Sequence, residues 1–426
     1  MTRVVVMGLG RFGGGVASAR WAAMQGDDVL VTDTKSEAEL AESVAALHSL
    51  GVRFRLGGHD PVDFDHAEIV VVNPAIPFDQ PLVARAEAAG AKITTEMGLT
   101  LRALCGPVIA ITGTNGKSTT AGLTAAMLEA AGVSCALGGN IGRSLLNEWD
   151  AWSPGTVAVL EISSFQLSWL ERDALAGHAL RPQVAIITNV TGDHFDRHGS
   201  FEHYVAAKRR LAESVRSDGL LILPRGDGVA AEFANATKAR VAWFGGDEPD
   251  PVDLAALAVV GPHNRANAAA AAVAAMEVGA SAEACSVGAA CFRGLPHRLE
   301  LLGERAGVLR VNDSVSTTPQ ATAAAVRSFD RPVILLVGGR DKGLDWGPLL
   351  DAARDAHTVI AYGETGPRIG ELVSGARLEP DFTSAVANAL ESARSGDVIL
   401  LSPGFASYDE FPGFDRRGAR FRELVG

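Results

Sequence analysis

The sequence predicts an α/β protein of three domains, each built around a mostly parallel β-sheet. Short apolar segments typical of buried strands alternate with longer amphipathic segments along the whole chain, and this alternation favours parallel sheets covered by helices. The chain has 426 residues, whereas one domain commonly has about 150. The strand–helix series restarts twice, so we expect domains at residues 1–94, 95–294 and 295–426.

The strands are predicted from short apolar runs that end in glycine or polar residues. In the first domain we expect strands at 3–7, 29–32, 69–72 and 92–94. In the second domain we expect strands at 108–112, 157–161, 184–188 and 220–223, and a buried helix at 264–278 that contains an alanine tract. In the third domain we expect strands at 308–311, 333–337, 358–361 and 397–401.

Composition and charge exclude several classes of protein. A net charge of −12 argues against a protein that coats nucleic acid or a membrane surface. No apolar run approaches the roughly 18 residues of a membrane span, and the N-terminal strand lacks the features of a secretory signal. We therefore expect a cytoplasmic monomer whose partners are small molecules, with no nucleic acid and no membrane among them.

A glycine-rich turn follows the first strand. Residues 8–13 read Gly-Leu-Gly-Arg-Phe-Gly, and Asp33 follows Gly13 by 20 residues. This pattern is typical of dinucleotide-binding domains, so an NAD-dependent oxidoreductase is one interpretation. The same turn lets any diphosphate approach the backbone amides at a helix N-terminus, including the UDP of a nucleotide sugar. The turn alone does not distinguish NAD from the UDP of a nucleotide sugar.

A phosphate-binding loop follows the strand at 108–112. Residues 113–119 read Gly-Thr-Asn-Gly-Lys-Ser-Thr. Gly113 and Gly116 free the backbone to wrap a phosphate, Lys117 supplies a cation for the β and γ oxygens, and the Ser118 hydroxyl can bind Mg²⁺. Gly113 lies four residues before Lys117, closer than in the standard pattern. The sequence therefore predicts a shortened phosphate loop that binds a nucleotide.

Two further segments place polar side chains after strands of the same sheet. Glu161 ends the strand at 157–161, and His194 lies in the loop that follows the strand at 184–188. Because the carboxyl ends of parallel strands meet at one sheet edge, we expect Glu161 to hold Mg²⁺ together with Ser118. A single loop histidine is commonly solvated, but the convergence of three such loops places His194 in the predicted site.

Taken together, these motifs resemble the Mur ligase family of ATP-dependent amide ligases in peptidoglycan precursor synthesis. The resemblance continues through segments 138–142, 261–267, 294–298, 312–314, 338–343 and 401–407. It implies an N-terminal Rossmann-like domain for a UDP-sugar, a central P-loop domain for ATP, and a C-terminal Rossmann-like domain for the amino acid. The implied reaction adds glutamate to UDP-N-acetylmuramoyl-L-alanine through an acyl phosphate.

The resemblance also implies the roles of individual residues. ATP would be bound by Gly113, Thr114, Asn115, Gly116, Lys117, Ser118, Thr119, Asn264, Asn267, Arg298 and Asp313. Two Mg²⁺ ions would be bound by Ser118, Glu161, His194 and a carbamoylated Lys208, and the catalytic residues would be Lys117, Glu161, His194 and Lys208. The UDP-sugar would contact Gly10, Arg11, Phe12, Asp33, Thr34, Lys35, Asn140, Ser163 and Gln166, and glutamate would contact Thr317, Lys342, Ser407 and Phe414. Without the resemblance, Lys208 would be expected as a solvated residue of a charged helix.

Several alternatives remain open at this point. Val315 stands where the best-known members have Lys, and residues 316–319 read Ser-Thr-Thr-Pro, so the configuration of the incoming glutamate stays open. We prefer D-glutamate as the substrate and keep L-glutamate as the alternative. A folylpolyglutamate synthetase would lack the N-terminal glycine-turn domain. An NAD-dependent oxidoreductase would leave Lys117, Glu161 and His194 without a role, and a non-catalytic nucleotide-binding regulator would not need the set of Mg²⁺ ligands.

Overall fold

The computed structural model describes residues 1–9, 13–74, 76–141, 144–173, 175, 180–191, 200–247, 249–259, 261–341 and 343–426. The chain divides into two compact units, Met1–Ala255 with Ala266–Ala289, and Ala256–Arg265 with Ala290–Gly426. Two sheets lie in the first unit and one sheet lies in the second, among the described residues. This architecture confirms the predicted α/β class with mostly parallel sheets. The domain boundaries at 94 and 294 stay predictions.

The first sheet is parallel and has the strand order β3-β2-β1-β4-β5. Its strands are β1 (Arg3–Met7), β2 (Asp28–Asp33), β3 (Arg53–Leu56), β4 (Ile69–Val72) and β5 (Lys92–Thr94). The helices of this part of the chain are α1 (Gly14–Met24), α2 (Ala41–Ala45), α3 (Pro61–Asp65), α4 (Pro81–Ala88) and α5 (Glu96–Ala103). Apolar residues of β1 and β4 are buried on both faces of the sheet, as in other parallel sheets covered by helices.

The second sheet is also parallel, with the order β11-β10-β9-β6-β8-β7. Its strands are β6 (Val108–Thr112), β7 (Cys135–Gly139), β8 (Val157–Glu161), β9 (Val184–Ile187), β10 (Leu220–Pro224) and β11 (Arg240–Phe244). The helices that follow in the chain are α6 (Lys117–Ala130), α7 (Ser164–Arg172), α8 (Phe201–Ser214), α9 (Gly228–Glu232), α10 (Pro262–Glu277) and α11 (Ala282–Cys291). The predicted alanine-rich helix is therefore confirmed as α10.

The third sheet has the order β12-β13-β17-β14-β15-β16, in which β12 pairs antiparallel with β13 and the other pairs are parallel. Its strands are β12 (Glu300–Arg305), β13 (Val308–Asn312), β14 (Val333–Gly338), β15 (Thr358–Tyr362), β16 (Arg377–Leu378) and β17 (Val398–Gly404). Its helices are α12 (Pro319–Val326), α13 (Gly347–Asp355), α14 (Gly366–Leu372), α15 (Phe382–Ser392) and α16 (Phe414–Val425).

The chain order places β6 at the switch point of the second sheet. From β6 the chain passes to β7 and β8 on one side and then to β9 and β10 on the other. Ligands of parallel sheets bind outside the carboxyl ends of the strands at such a point, and the loop 113–116 begins there. Within the described ranges, every helix falls short of the length and apolar character that crossing a bilayer requires.

Candidate active site

The phosphate loop connects β6 to α6, and two of its positions require glycine. Gly113 has a φ of 150° and Gly116 a φ of 82°. Residues that carry a side chain rarely adopt such backbone angles. A Cβ atom at Gly113 would lie 1.9 Å from Oγ1 of Thr188, and one at Gly116 would lie 2.5 Å from Oδ1 of Asn267. The loop therefore packs against the segment after β9 and against α10 at distances that exclude even alanine.

The segment after β9 holds the phosphate loop in place. The amide of Asn115 donates to Oδ1 of Asn189 over 2.9 Å, and Nδ2 of Asn189 donates to the Asn115 carbonyl over 3.0 Å. The Thr114 amide donates to the Asn189 carbonyl over 2.9 Å. Beyond the loop, the first amides of α6 have no acceptor within the helix. A preformed loop that ends in such amides is suited to binding a phosphate group.

Lys117 and Ser118 begin α6 at this loop. Nζ of Lys117 donates to the Thr114 carbonyl over 2.8 Å, so the lysine side chain folds back over the loop. Ser118 is buried in the first turn of the helix. The structure thus brings together the residues 113–119 that the sequence predicted as a nucleotide-binding loop.

Glu161 lies beside this loop with one oxygen satisfied and one not. It pairs with Ile111 in the register of β6 and β8, and it is 2% exposed. Its Oε1 accepts from Nδ2 of Asn140 over 2.9 Å, and its buried Oε2 has no hydrogen-bond partner among the described residues. An unpaired buried carboxylate oxygen is costly, and a hard cation such as Mg²⁺ satisfies it. The free oxygen of Glu161 therefore fits Mg²⁺, for which the sequence also predicts Ser118 as a ligand.

Lys208 is buried against the phosphate loop, contrary to what its charged helix alone would predict. It is 1% exposed, and its Nζ donates to the carbonyl oxygen of Gly113 over 2.6 Å. Nζ also lies 4.5 Å from the ring centroid of Tyr204, and the Tyr204 hydroxyl bonds with Oγ1 of Thr114 at 2.9 Å. Sequence reasoning missed Tyr204, although its position one helical turn before Lys208 was a usable signal.

Some predicted metal and substrate residues lie outside the described ranges. These are Gly10, Arg11 and Phe12 for the UDP-sugar, His194 for Mg²⁺, and Lys342 for glutamate. Within the part of the chain that the structure describes, no group of three or more His, Cys, Asp or Glu side chains is placed to hold a metal. Among the described residues, the unpaired Oε2 of Glu161 is the feature that favours a cation.

Asp33 organises the glycine turn of the first sheet. Its Oδ2 accepts from the amide of Leu9 over 2.9 Å, and its Oδ1 accepts from the amide of Lys35 over 3.0 Å. Thr34 is exposed and Lys35 is half-buried. Asp33 therefore fixes the backbone on both sides of the predicted UDP subsite.

Ser163 and Gln166 form a capping box at the start of α7. The Gln166 amide donates to Oγ of Ser163 over 3.2 Å, and the Ser163 amide donates to Oε1 of Gln166 over 2.9 Å. These reciprocal bonds satisfy free amides at the helix start. They also fix the two side chains just after Glu161, at the edge of the sheet where the sequence places the sugar substrate.

In the second unit, Asp313 is a buried acid. It is 2% exposed, its Oδ1 accepts from the Leu299 amide over 3.0 Å, and its Oδ2 accepts from Oγ of Ser402 over 2.8 Å. Burial raises the pKa of Asp313 to about 6, although these hydrogen bonds and the charge of Arg298 oppose the shift. The Arg298 side chain is exposed, and Asn264 and Asn267 on α10 are buried.

Arg417 joins the segments that carry the predicted glutamate residues, and sequence reasoning missed it. Its fully buried guanidinium donates to the carbonyls of Ser314 and Phe405, each over 3.1 Å. Oγ of Ser314 in turn donates to the Phe414 carbonyl over 2.7 Å. The segments leading to Thr317 and Ser407 are thereby tied to the start of α16. The helical spacing from Phe414 to Arg417 and Phe421 placed this arginine on an apolar face, which was a usable signal.

Comparison with known families gives matches along the chain. The model for the Mur ligase MurD-like N-terminal domain matches residues 2–95. The model for the Mur ligase middle domain matches residues 111–255, and that for the Mur ligase glutamate ligase domain matches residues 297–405.

Relatives are similar to this chain over nearly their whole length. UDP-N-acetylmuramoylalanine--D-glutamate ligase of Koribacter versatilis (strain Ellin345) is 36% identical over 447 residues, covering 99% of this chain and 97% of the relative. The ligase of the same name from Anaeromyxobacter dehalogenans (strain 2CP-C) is 38% identical over 461 residues, covering 100% and 97%. Among solved structures, UDP-N-acetylmuramate-alanine ligase MurC of Thermotoga maritima has a TM-score of 0.64 at 20% identity, covering 100% of this chain and 99% of that one. The last likeness concerns the fold alone.

Proposed function

Because the chain belongs to the Mur ligase family, we propose that it is an ATP-dependent ligase that adds D-glutamate to UDP-N-acetylmuramoyl-L-alanine in peptidoglycan precursor synthesis. The full-length similarity to D-glutamate ligases supports the substrate. The observation that carries the chemistry is the preformed phosphate loop beside Glu161, whose buried Oε2 lacks a partner among the described residues. A phosphate-binding loop next to a carboxylate that can hold Mg²⁺ is the arrangement that transfer of a phosphoryl group requires.

The reaction needs ATP because a carboxylate does not condense with an amine at neutral pH. The alanine carboxylate attacks the γ-phosphorus of ATP, and ADP leaves. The resulting acyl phosphate is attacked by the glutamate amine, and after loss of a proton the tetrahedral intermediate expels inorganic phosphate. No protein nucleophile takes part, so the protein contributes positioning and electrostatic stabilisation.

Lys117 and the loop amides bind the phosphates in this proposal. Lys117 already lies over the loop through its bond to the Thr114 carbonyl, and its ammonium would pair with the β and γ oxygens of a bound nucleotide. Residues 113–119 with Asn264, Asn267, Arg298 and Asp313 complete the proposed ATP site. Asn267 lies against Gly116, so it closes one side of the loop.

Mg²⁺ would be held by Ser118, Glu161, His194 and Lys208, with two ions in the site. When bound, Mg²⁺ would offset the negative charge on the transferred phosphoryl group. Asn140 orients the Glu161 carboxylate through Oε1 and leaves Oε2 for the cation.

Lys208 is proposed to act in its carbamoylated form. The ammonium first loses a proton, and the neutral amine then adds CO₂ and releases a second proton. The product is an anionic carbamate whose oxygens can bind a cation. The burial of Lys208 beside Gly113 of the phosphate loop supports this role. In the described structure the amine bonds to Gly113 and lies over Tyr204, so the modified group would remain beside the phosphate loop.

The two other substrates are assigned to other parts of the chain. Residues 10–12 and 33–35 with Asn140, Ser163 and Gln166 would contact the UDP-sugar, and Thr317, Lys342, Ser407 and Phe414 would contact glutamate. Lys342 would pair with a glutamate carboxylate.

We propose domain boundaries at 94 and 294, and a monomer that works in the cytoplasm without nucleic-acid or membrane partners.

The proposal is tested by assaying purified protein with UDP-N-acetylmuramoyl-L-alanine, ATP, Mg²⁺ and each enantiomer of glutamate separately. We expect ADP, phosphate and the amide product with D-glutamate, and none of them with Lys117→Ala. Product with L-glutamate alone would overturn the assigned stereochemistry. Absence of product with both enantiomers would overturn the proposed reaction.

A further inference from the structure

A half-buried acid outside the proposed site, Glu96, joins the first sheet to the second. Glu96 is the first residue of α5, and its Oε1 accepts hydrogen bonds from the hydroxyl of Ser144 and, over 3.0 Å, from that of Thr100. Its side chain also packs on Gly14, where a Cβ atom would lie 3.6 Å from Cγ of Glu96. One side chain therefore contacts the starts of two other helical segments.

Three helical N-termini meet at the Glu96 side chain. Helix α1 begins at Gly14, α5 begins at Glu96, and Ser144 is the N-cap of the 3₁₀ helix Leu145–Ala151. N-termini carry partial positive charge and favour an anion nearby. Burial raises the pKa of Glu96, and the hydroxyl bonds from Ser144 and Thr100 oppose that shift. Two hydroxyls from different segments thus donate to one oxygen of this half-buried residue.

The two contacted segments adjoin the proposed UDP-sugar contacts. Gly14 directly follows the glycine turn assigned to the diphosphate, and Ser144 follows the segment that carries Asn140. Asn140 in turn binds Glu161. A displacement of Ser144 relative to Gly14 would therefore change the distance between the part of the site that holds the diphosphate and the part that faces the reacting end.

We propose that Glu96 is a positioning residue for the UDP-sugar. It sets the spacing between the start of α1 and the segment carrying Asn140, and it does so through the Ser144 hydroxyl and its own packing on Gly14. This inference rests on the proposed function. It assigns no contact between Glu96 and ATP, so we expect the larger effect on KM for the UDP-sugar.

The test compares two hydroxyls that donate to the same oxygen of Glu96. Ser144→Ala removes the bond that spans two segments, whereas Thr100→Val removes a bond within α5 and serves as the matched control. Glu96→Ala removes both bonds and the packing on Gly14, and Glu96→Gln keeps the stem and one acceptor oxygen. The exposed Glu42 provides a second control as Glu42→Ala.

We expect Glu96→Ala and Ser144→Ala each to raise KM for the UDP-sugar about tenfold, the size of a lost hydrogen bond. KM for ATP should stay within about twofold in both variants. Glu96→Gln, Thr100→Val and Glu42→Ala should remain near wild type. The Glu96→Ala, Ser144→Ala double variant should be no worse than Glu96→Ala, because the two changes remove one interaction.

The inference is overturned if KM for the UDP-sugar is unchanged in Glu96→Ala and Ser144→Ala, or if KM for ATP rises equally. It is also overturned if Thr100→Val has the same effect as Ser144→Ala. These outcomes require an active wild-type enzyme, so they differ from failure of the proposed function, in which wild type itself makes no product. If thermal unfolding shows that Glu96→Ala does not fold, the comparison of Ser144→Ala with Thr100→Val tests the inference.

Discussion

Nζ of Lys208 donates a hydrogen bond of 2.6 Å to the carbonyl oxygen of Gly113. This bond ties α8 to the first glycine of the phosphate loop, in a place where the lysine is 1% exposed. The carbonyl and the face of the Tyr204 ring replace part of the water that an ammonium group loses on burial. Lys208 therefore supports the loop as an amine, and a carbamate there would instead present oxygen to the site.

Replacing Lys208 tests its proposed role. Lys208→Ala should lower kcat at least about a hundredfold, because the proposed anionic ligand is lost. Short carboxylates such as formate or acetate should restore part of the activity if the missing group is a carbamate. The rate is measured with and without added carboxylate, at constant ionic strength. Full loss of activity without any restoration would contradict the carbamate.

The close packing of the phosphate loop is tested by a pair of glycine variants. Gly116→Ala places a Cβ atom 2.5 Å from Oδ1 of Asn267, so we expect KM for ATP to rise more than about tenfold. Gly132 also has a positive φ, of 70°, but no atom lies near its Cβ position. Gly132→Ala should therefore cost only about 1 kcal/mol of stability and leave kinetics unchanged. Equal kinetic effects in the two variants would refute the packing argument.

The unpaired oxygen of Glu161 predicts a change in metal dependence. Glu161→Gln keeps the size of the side chain but removes the charge, so the Mg²⁺ concentration for half-maximal rate should rise about tenfold or more. The measurement is a Mg²⁺ titration of ADP release at saturating substrates. Asn140→Ala, which frees Oε1 of Glu161, should shift the titration less. An unchanged Mg²⁺ requirement in Glu161→Gln would exclude Glu161 as a ligand.

The buried Asp313 predicts a pH dependence of stability. Its pKa is about 6 in the folded protein against an ordinary 3.8, so the folded state holds a proton that the unfolded chain has released. The resulting stabilisation is complete below about pH 4 and is lost as pH rises through 6, a change of about 3 kcal/mol. Relative to Asp313→Asn, wild type should lose this amount between pH 4 and 7 in urea unfolding. A constant difference would contradict the raised pKa.

The strands were predictable where the chain is buried on both faces. All the strands expected from apolar runs are present in the structure. Sequence reasoning missed β3, β7, β11, β12 and β16, and each of them lies at the edge of its sheet. An edge strand is partly exposed and needs fewer apolar residues, as the alternating Arg53-Phe54-Arg55-Leu56 segment illustrates. Pairing with a neighbour, which the local sequence does not encode, makes these segments strands.

The candidate site was predictable where local sequence and strand order coincide. The phosphate loop follows β6, and Glu161 ends β8 of the same sheet. The order of strands and polar residues in the sequence therefore predicted that they lie close together. The contact between Lys208 and Gly113 joins residues 95 positions apart, and the bond between Glu96 and Ser144 joins residues 48 positions apart. Such contacts depend on how helices pack over the sheets, which hydrophobic periodicity alone does not fix.

The central claim is that the alanine carboxylate becomes an acyl phosphate at the loop of Lys117. It is tested most directly with UDP-N-acetylmuramoyl-L-alanine carrying ¹⁸O in that carboxylate, incubated with ATP, Mg²⁺ and D-glutamate. The account predicts that each phosphate released carries one ¹⁸O atom, because the oxygen that attacks the γ-phosphorus leaves with it. Phosphate free of ¹⁸O, formed together with the amide product, would contradict the account.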